Sequence, residues 1–423
     1  MTSLFWSSET EGRSVPNAGR GTLIAVIVVA GALAGRGQTL LKPSTADGFV
    51  KLIPSDQTIL EAGDPRSDLA CTVTPQKTQL GFDLRFHSGY DVTVPLHELA
   101  GSDNLLSILF RVQPTDHPDE AVYFEQRVHV PPVSDDASGE ATLQGSFDVG
   151  EGTYDVAWMM RDRAEHVCAS FWQTTAELLP KDRDMPLTIV PGDVEEAAGE
   201  QFQEEPPVHR VSSGTPYNVK LLVNFAPENS LSPTMDPADT LALMSIVRSV
   251  ARNPHFGRFS IVAFNMQSQR VMYRQEDVDR INFPALGKAL NALKLGTVDV
   301  GKLGDKHGDT DFLGGLIRKE LDPGTDRPDA VIFAGPKTML DQNVPQDSLK
   351  DVSNVTFPIF YMNYISNPQA VPWKDSISRA VRFFRGTEYT ISKPRDLWYA
   401  MTDVVSHIVK SRNEKTLSSI SSR

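Results

Sequence analysis

The chain has 423 residues, 41 Lys+Arg against 54 Asp+Glu, and a formal net charge of −13. That length accommodates two or three domains, and 40 % hydrophobic residues exclude wholesale disorder. The acidic balance opposes binding to nucleic acid or anionic membrane, which depends on neutralising phosphates. Two cysteines exclude a Cys-rich zinc fold, an iron–sulfur protein and a disulfide-dense scaffold.

No charge occurs between Arg20 and Arg36, and Leu23–Ala34 is an apolar run. The fifteen uncharged residues fall short of the ~20 that cross a bilayer as a helix. They match a secretory h-region, and Ala32-Leu33-Ala34 supplies a small-x-small cleavage signature, so residues 1–34 are expected to be a signal peptide. An uncleaved anchor and a buried strand are the alternatives. Glu9 and Glu11 cancel Arg13 and Arg20, which favours a translation start nearer Val15. Export to the periplasm or the extracellular space would place Cys71 and Cys168 in an oxidising compartment and pair them, with two buried free thiols as the alternative.

Residues 35–65 are polar with scattered Gly and Pro and read as a tether. From 66 to 181 the pattern is short strands separated by turns. Phe82–Phe86 and Val92–Val94 alternate apolar and polar, Leu105–Val112 is a stronger run, and Ala121–Val130 alternates around Val122, Phe124, Val128 and Val130. Gly152–Trp158 and His166–Phe171 complete six to eight expected strands, which argues for an antiparallel, immunoglobulin-like β-sandwich with the cysteines in its first and last strands. Residues 182–216 carry eight acidic against two basic residues and several prolines. They read as an acidic, extended linker with one short strand at Leu187–Val190.

The period changes after Tyr217. Val219–Phe225, Ser260–Phe264, Ala330–Phe333 and Phe357–Tyr361 are apolar runs of the kind buried on both sheet faces, with a shorter strand at Gln269–Tyr273. Between them lie amphipathic stretches. Leu243, Ile246, Val247 and Val250 share one helical face beyond Asp236-Pro237, and Phe283–Leu293 and Phe312–Leu321 are also helical. Trp373–Phe384, stopped by Gly386, and Asp396–Val409 close the pattern. Strands alternating with helices predict an α/β doubly wound parallel sheet over 217–410, followed by a disordered tail at 411–423.

Residues 217–410 resemble a von Willebrand factor A-type domain. The resemblance rests on the order of elements, on Phe256–Phe264, on Gly308-Asp309-Thr310-Asp311-Phe312-Leu313, and on the closing stretch Arg379–Leu397. It implies a divalent cation held at the C-terminal edge of the sheet by a DxSxS set, a Thr and an Asp, since hard cations need oxygen ligands. In this chain Asn224, Ala226 and Glu228 stand at the DxSxS positions and Gly335 at the Asp position, so only Thr310 remains. The expectation is therefore no metal and no cofactor. Asp309 or Thr310 can equally N-cap the helix expected near Phe312. The loop Asp305–Asp311 lacks the closing Glu of a calcium hand, Asp116–Glu120 reads as an exposed turn, and His97-Glu98 lacks the second His of a zinc-protease helix.

No G-x-S-x-G elbow, Walker-type loop or G-x-G-x-x-G after a strand occurs. Phe383-Phe384, Trp398-Tyr399 and Phe360-Tyr361 read as core. The sequence thus favours a non-enzymatic, exported, adhesion-like display protein whose partner is another protein or an envelope macromolecule. The sheet's C-terminal edge is the expected contact zone, with Glu228, Asn229, Ser230, Asp309, Thr310 and Lys337 as candidates. The alternatives are an enzyme or small-ligand binder with a pocket unseen in sequence, and a cation-dependent adhesin using Glu228 with Asp309 or Asp311.

Overall fold

The computed structural model describes residues 36–42, 50–101, 103–197, 202–211, 216–227, 232, 235–292, 308–322, 327–337, 344–345, 349–350, 352, 355–365 and 375–421. The apolar run Leu23–Ala34 and the candidates Glu228, Asn229 and Ser230 lie outside them, as do residues 305–307 of the loop 305–311. The chain divides into two compact units at Gly199/Glu200.

The first unit is built from two antiparallel sheets. One has the order β1-β6-β5-β8-β9-β2, from β1 (Arg36–Leu40), β2 (Arg66–Ser67), β5 (Asn104–Pro114), β6 (Val122–Val130), β8 (Gly152–Arg161) and β9 (Val167–Ala176). The other has the order β10-β7-β4-β3, from β3 (Thr72–Leu80), β4 (Phe86–Pro95), β7 (Glu140–Val149) and β10 (Val194–Glu196). Alternation sends one side of each strand inward. Tyr90 and Phe147 of the smaller sheet meet Phe110, Phe124 and Trp158 of the larger, with Tyr90–Trp158 centroids 5.4 Å apart and Phe110–Phe124 stacked at 4.8 Å. Such pairs add roughly 0.5–1.5 kcal/mol each beyond the area they bury. Gly145 leaves room for the Tyr90 ring, since a Cβ there would stand 2.3 Å from it.

The disulfide Cys71–Cys168 is formed, with Cα atoms 6.2 Å apart. Ser67 on β2 lies opposite Cys168, and the chain then leaves that sheet, so the bridge ties the entry to β3 onto β9 of the other sheet. β3 is an exposed edge carrying Pro75, Lys77 and a bulge, features that discourage further strand addition.

Several expectations fail in this unit, the first because polar sequence can still pack when a few apolar residues are placed correctly. The expected tether 35–65 contains β1, paired with β6, and the helix α1 (Pro54–Ala62). Ile59 and Leu60 of α1 cover Leu109, Ala157 and Met159 on the outer face of the larger sheet. Phe82–Phe86 is not a strand. Gly81 to Arg85 form the β3–β4 turn, closed by Leu84 N–H to Gly81 O at 3.0 Å, with Leu84 at φ 63°. Leu187–Val190 is not a strand either. Met185 and Ile189 are buried and the strand falls at Val194–Glu196, so the first part of the expected linker belongs to this unit.

The second unit holds one six-stranded sheet of order β13-β12-β11-β14-β15-β16. Its strands are β11 (Tyr217–Asn224), β12 (Phe256–Asn265), β13 (Arg270–Val278), β14 (Ala330–Pro336), β15 (Ile359–Tyr364) and β16 (Thr387–Ile391). All pairs are parallel except β12–β13. The helices are α2 (Pro237–Arg252), α3 (Phe283–Asn291), α4 (Gly308–Leu321), α5 (Ser376–Phe383) and α6 (Pro394–Ser421). Leu313, Leu316 and Ile317 of α4 and Ile377, Ala380 and Val381 of α5 pack on Leu222, Val262, Phe333 and Tyr361. Within this unit Glu320 is buried with Lys220 (Nζ to its backbone O, 3.2 Å) and Arg274 (2.5 Å), which satisfies its charge. The residues 411–421 of the expected disordered tail continue α6, and Arg412 stacks over Tyr217 at 4.1 Å while donating to Asp329. Residues 202–211 of the expected linker lie against α2 and α3 of this unit.

Candidate functional site

The strand order reverses between β11 and β14, both parallel and adjacent, so the connections after their C-terminal ends diverge around a crevice. Asn224 closes β11 and is fully buried. Its Oδ1 accepts the Met266 backbone N–H at 3.1 Å, and Asn265 Nδ2 donates to Phe225 O at 2.6 Å, which locks the ends of β11 and β12 together. Ala226 beyond it is 2 % exposed and offers no oxygen ligand from its side chain. Gly335 on β14 adopts φ +149°, and a Cβ there would stand 2.7 Å from Asn224 Cβ. The strands thus approach through a position that no larger residue fits.

Of the expected contact residues, Asp309 and Thr310 sit side by side. α4 begins at Gly308, a turn earlier than the apolar stripe indicated, so they lie inside its first turn and do not cap a helix starting at Phe312. Asp309 Oδ1 accepts the Thr310 N–H at 2.7 Å, and Thr310 is buried. Lys337 follows β14, is 7 % exposed, and reaches Glu388 of β16 with Nζ to Oε1 3.7 Å. This ion pair runs along the sheet toward β16.

A polar cluster that sequence reasoning missed lies beside Lys337. Glu388 accepts from Asn363 Nδ2 at 2.7 Å and from Ser378 Oγ at 2.9 Å. Asp375 caps α5 through Ser378 N–H at 2.7 Å and accepts the Tyr361 hydroxyl at 3.0 Å. Burial, reinforced by the Asp375 charge, raises the Tyr361 pKa well above its ordinary value. The Asn363 Oδ1 is buried without a hydrogen bond. One signal was available: Asn363 interrupts an otherwise apolar strand. The Glu388 carboxylate, accepting two bonds beside an ammonium, braces α5 against the sheet.

The first unit carries a second titratable group that no motif announced. His87 on β4 lies opposite Asp148 on β7, and Asp83 comes from the β3–β4 turn. His87 Nδ1 is 2.6 Å from Asp148 Oδ1 and Nε2 is 3.0 Å from Asp83 Oδ1. Burial pushes the ring's pKa down, but hydrogen bonds to the two carboxylates and their charges outweigh it and hold the pKa at about 10. Burial likewise acts to raise the Asp83 pKa, and the His87 hydrogen bond and charge overcome it, so the net shift is downward. Arg85 extends the network to Asp148 at 3.6 Å and Glu195 of β10 at 2.7 Å. The donor set, Asp83, His87 and Asp148, has the composition of a metal site. The carboxylates nevertheless take opposite ring nitrogens, which one ion cannot bind together. The geometry is that of an imidazolium clamped between two carboxylates.

No family model matches the chain, and no curated protein matches it. Solved structures give weak likenesses. The PilB minor pilin of Streptococcus sanguinis is 7 % identical at TM-score 0.26, over 71 % of this chain and 87 % of the pilin. A glycosyl hydrolase family 2 member from Bacteroides cellulosilyticus is 8 % identical at TM-score 0.19, over 76 % and 39 %. A β-glucuronidase of Bacteroides uniformis is 9 % identical at 0.18, over 74 % and 38 %. Scores this low establish no shared fold.

Proposed function

We propose that this chain is an exported, non-enzymatic interaction protein that joins an immunoglobulin-like β-sandwich to a von Willebrand factor A-type domain without a working cation site. The observation that carries this reading is the end of β11. A cation-binding version of that edge needs a leading carboxylate and hydroxyls there, and an Asp at the end of β14. This chain has Asn224, engaged by Met266 N–H, then Ala226, and the close-packed Gly335. Thr310 alone is too little to hold a hydrated hard cation. The sheet order and its single antiparallel edge strand support the family assignment. The Cys71–Cys168 bridge supports export, because such bonds persist in oxidising compartments.

The contact surface is the C-terminal edge around the partly exposed Asp309, with Glu228, Asn229 and Ser230 ahead of α2 in the sequence; Thr310 and Lys337 are themselves buried and support that edge. No cofactor takes part. The test is affinity capture from an envelope extract with the full chain, in magnesium and in chelator, beside calorimetric titration with magnesium, manganese and calcium. The expected result is one partner retained equally in both buffers, lost with Asp309→Arg, and no heat of cation binding. Capture abolished by chelator, together with micromolar cation binding lost in Thr310→Ala, would instead establish a cation-dependent adhesin and refute the proposal.

A further inference from the structure

The acidic stretch between the units contains a segment already bound, residue by residue, to the second unit. Phe202 packs against α3 at Gly287, where an added Cβ would stand 2.4 Å from the Phe202 Cγ. Three residues on, the Glu205 carboxylate is held by two guanidinium groups of α2: Arg248 Nε at 2.8 Å and Arg252 Nε at 2.5 Å, with a second Arg252 bond at 3.2 Å. Arg280 donates to the Glu205 backbone carbonyl. Pro206 and Pro207 restrict the next residues to extended geometry. Arg210 then donates to Ala251 O (3.2 Å) and Asn253 O (2.8 Å) and lies 5.3 Å over the Phe259 ring, and Val211 N–H reaches Pro254 O at 3.0 Å.

We infer that the surface formed by Gly287 of α3 with Arg248, Arg252 and Arg280 is a peptide-binding groove, and that residues 202–211 are its resident occupant. The partner it fits is an acidic, extended peptide that places an aromatic residue three positions before a carboxylate. Three observations carry this beyond an internal strap. The recognition is two-point, an aromatic notch and a bidentate carboxylate fork, which is how extended acidic peptides are read. The groove is locally basic on a chain of net −13: Arg248, Arg252 and Arg280 gather around Glu205 of the strap. Room also remains beside the strap, a cavity of about 210 Å³ lined by Glu204, Glu205, Gln275, Arg280, Ile281 and Asn282. The strap lacks helix or strand, so releasing it breaks no ladder. Held in the same chain, it competes at an effective concentration of order millimolar and keeps the groove closed to weak ligands.

This inference concerns a different surface from the sheet edge and stands without it. It is tested on the full chain by fluorescence anisotropy with a labelled peptide of residues 200–211. The wild type is expected to bind it weakly, because its own strap fills the groove. Glu205→Ala, which removes the carboxylate anchor from the strap, is expected to raise peptide affinity at least tenfold, and added salt to reverse the gain. The double variant Glu205→Ala/Arg252→Ala is expected to lose it. Phe202→Ala loosens the other end without touching an ion pair, and serves if Glu205→Ala does not fold. Affinity unchanged from the wild type in whichever folded strap variant is measured overturns the inference, as does a gain that survives loss of Arg252.

Discussion

Replacing His87 by Ala is expected to weaken the first unit by about 2–3 kcal/mol near pH 6, and the deficit is expected to shrink as pH rises. The substitution strands Asp148, whose side chain is fully buried, with only Arg85 at 3.6 Å. Breaking a buried pair costs roughly 3–5 kcal/mol, and this figure is reduced because the His87 side chain is 41 % exposed and water can replace part of it. The ring's pKa lies at about 10 in the folded protein against an ordinary 6.5. A folded-state pKa above the unfolded one gives stability that is complete below about 6.5 and disappears as pH climbs through about 10. At face value that interval corresponds to about 5 kcal/mol, and screening of the half-exposed ring brings it to about 2 kcal/mol. The assay is urea-dependent hydrogen exchange read by mass on peptides covering β4 and β7, with wild type and variant compared at pH 6, 8 and 10.5 and corrected for intrinsic exchange. A difference constant from pH 6 to 10.5 would refute the clamp. So would an NMR titration placing the ring near 6.5.

Reducing the Cys71–Cys168 bridge, or changing both residues to Ser, is expected to lower the stability of the first unit. The bridge spans a sequence separation of 97, for which chain entropy gives about 4–5 kcal/mol. Melting with and without reductant measures it, and the double Ser variant should be insensitive to reductant. Gly335→Ala is expected to destabilise the second unit by at least about 2 kcal/mol, because φ +149° disfavours a side chain and the new Cβ would press on Asn224 at 2.7 Å. Denaturant unfolding followed in that unit checks it, and a change below about 0.5 kcal/mol would show that the strands can part there.

Periodicity determined much of this protein by itself. The apolar runs at Val219–Phe225 and Ser260–Phe264 had to be strands buried on both faces, and the stripe Leu243, Ile246, Val247, Val250 had to be a helix packed on them. Those patterns record burial, and burial survives in one dimension as a repeat. The pairing of Cys71 with Cys168 was legible for a related reason, since only two cysteines were present to pair.

Tertiary structure decided what a repeat does not encode. Residues 35–65 and 182–211 look polar along the chain, yet Ile59, Leu60, Met185, Ile189 and Phe202 anchor them to a folded surface. A handful of contacts suffices once a receiving surface exists, and that surface is assembled from distant segments. The same holds for the site. Thr310 and Gly335 were identifiable from motif positions, whereas the bracing of Lys337 by Glu388, the clamp on His87 and the fork on Glu205 each join residues of separate elements. Charge illustrates the difference. The sequence determined a net −13 and concentrated part of it between the two units. Only the folded chain converted one of those charges, Glu205, from a solvated spacer residue into the ligand of two arginines.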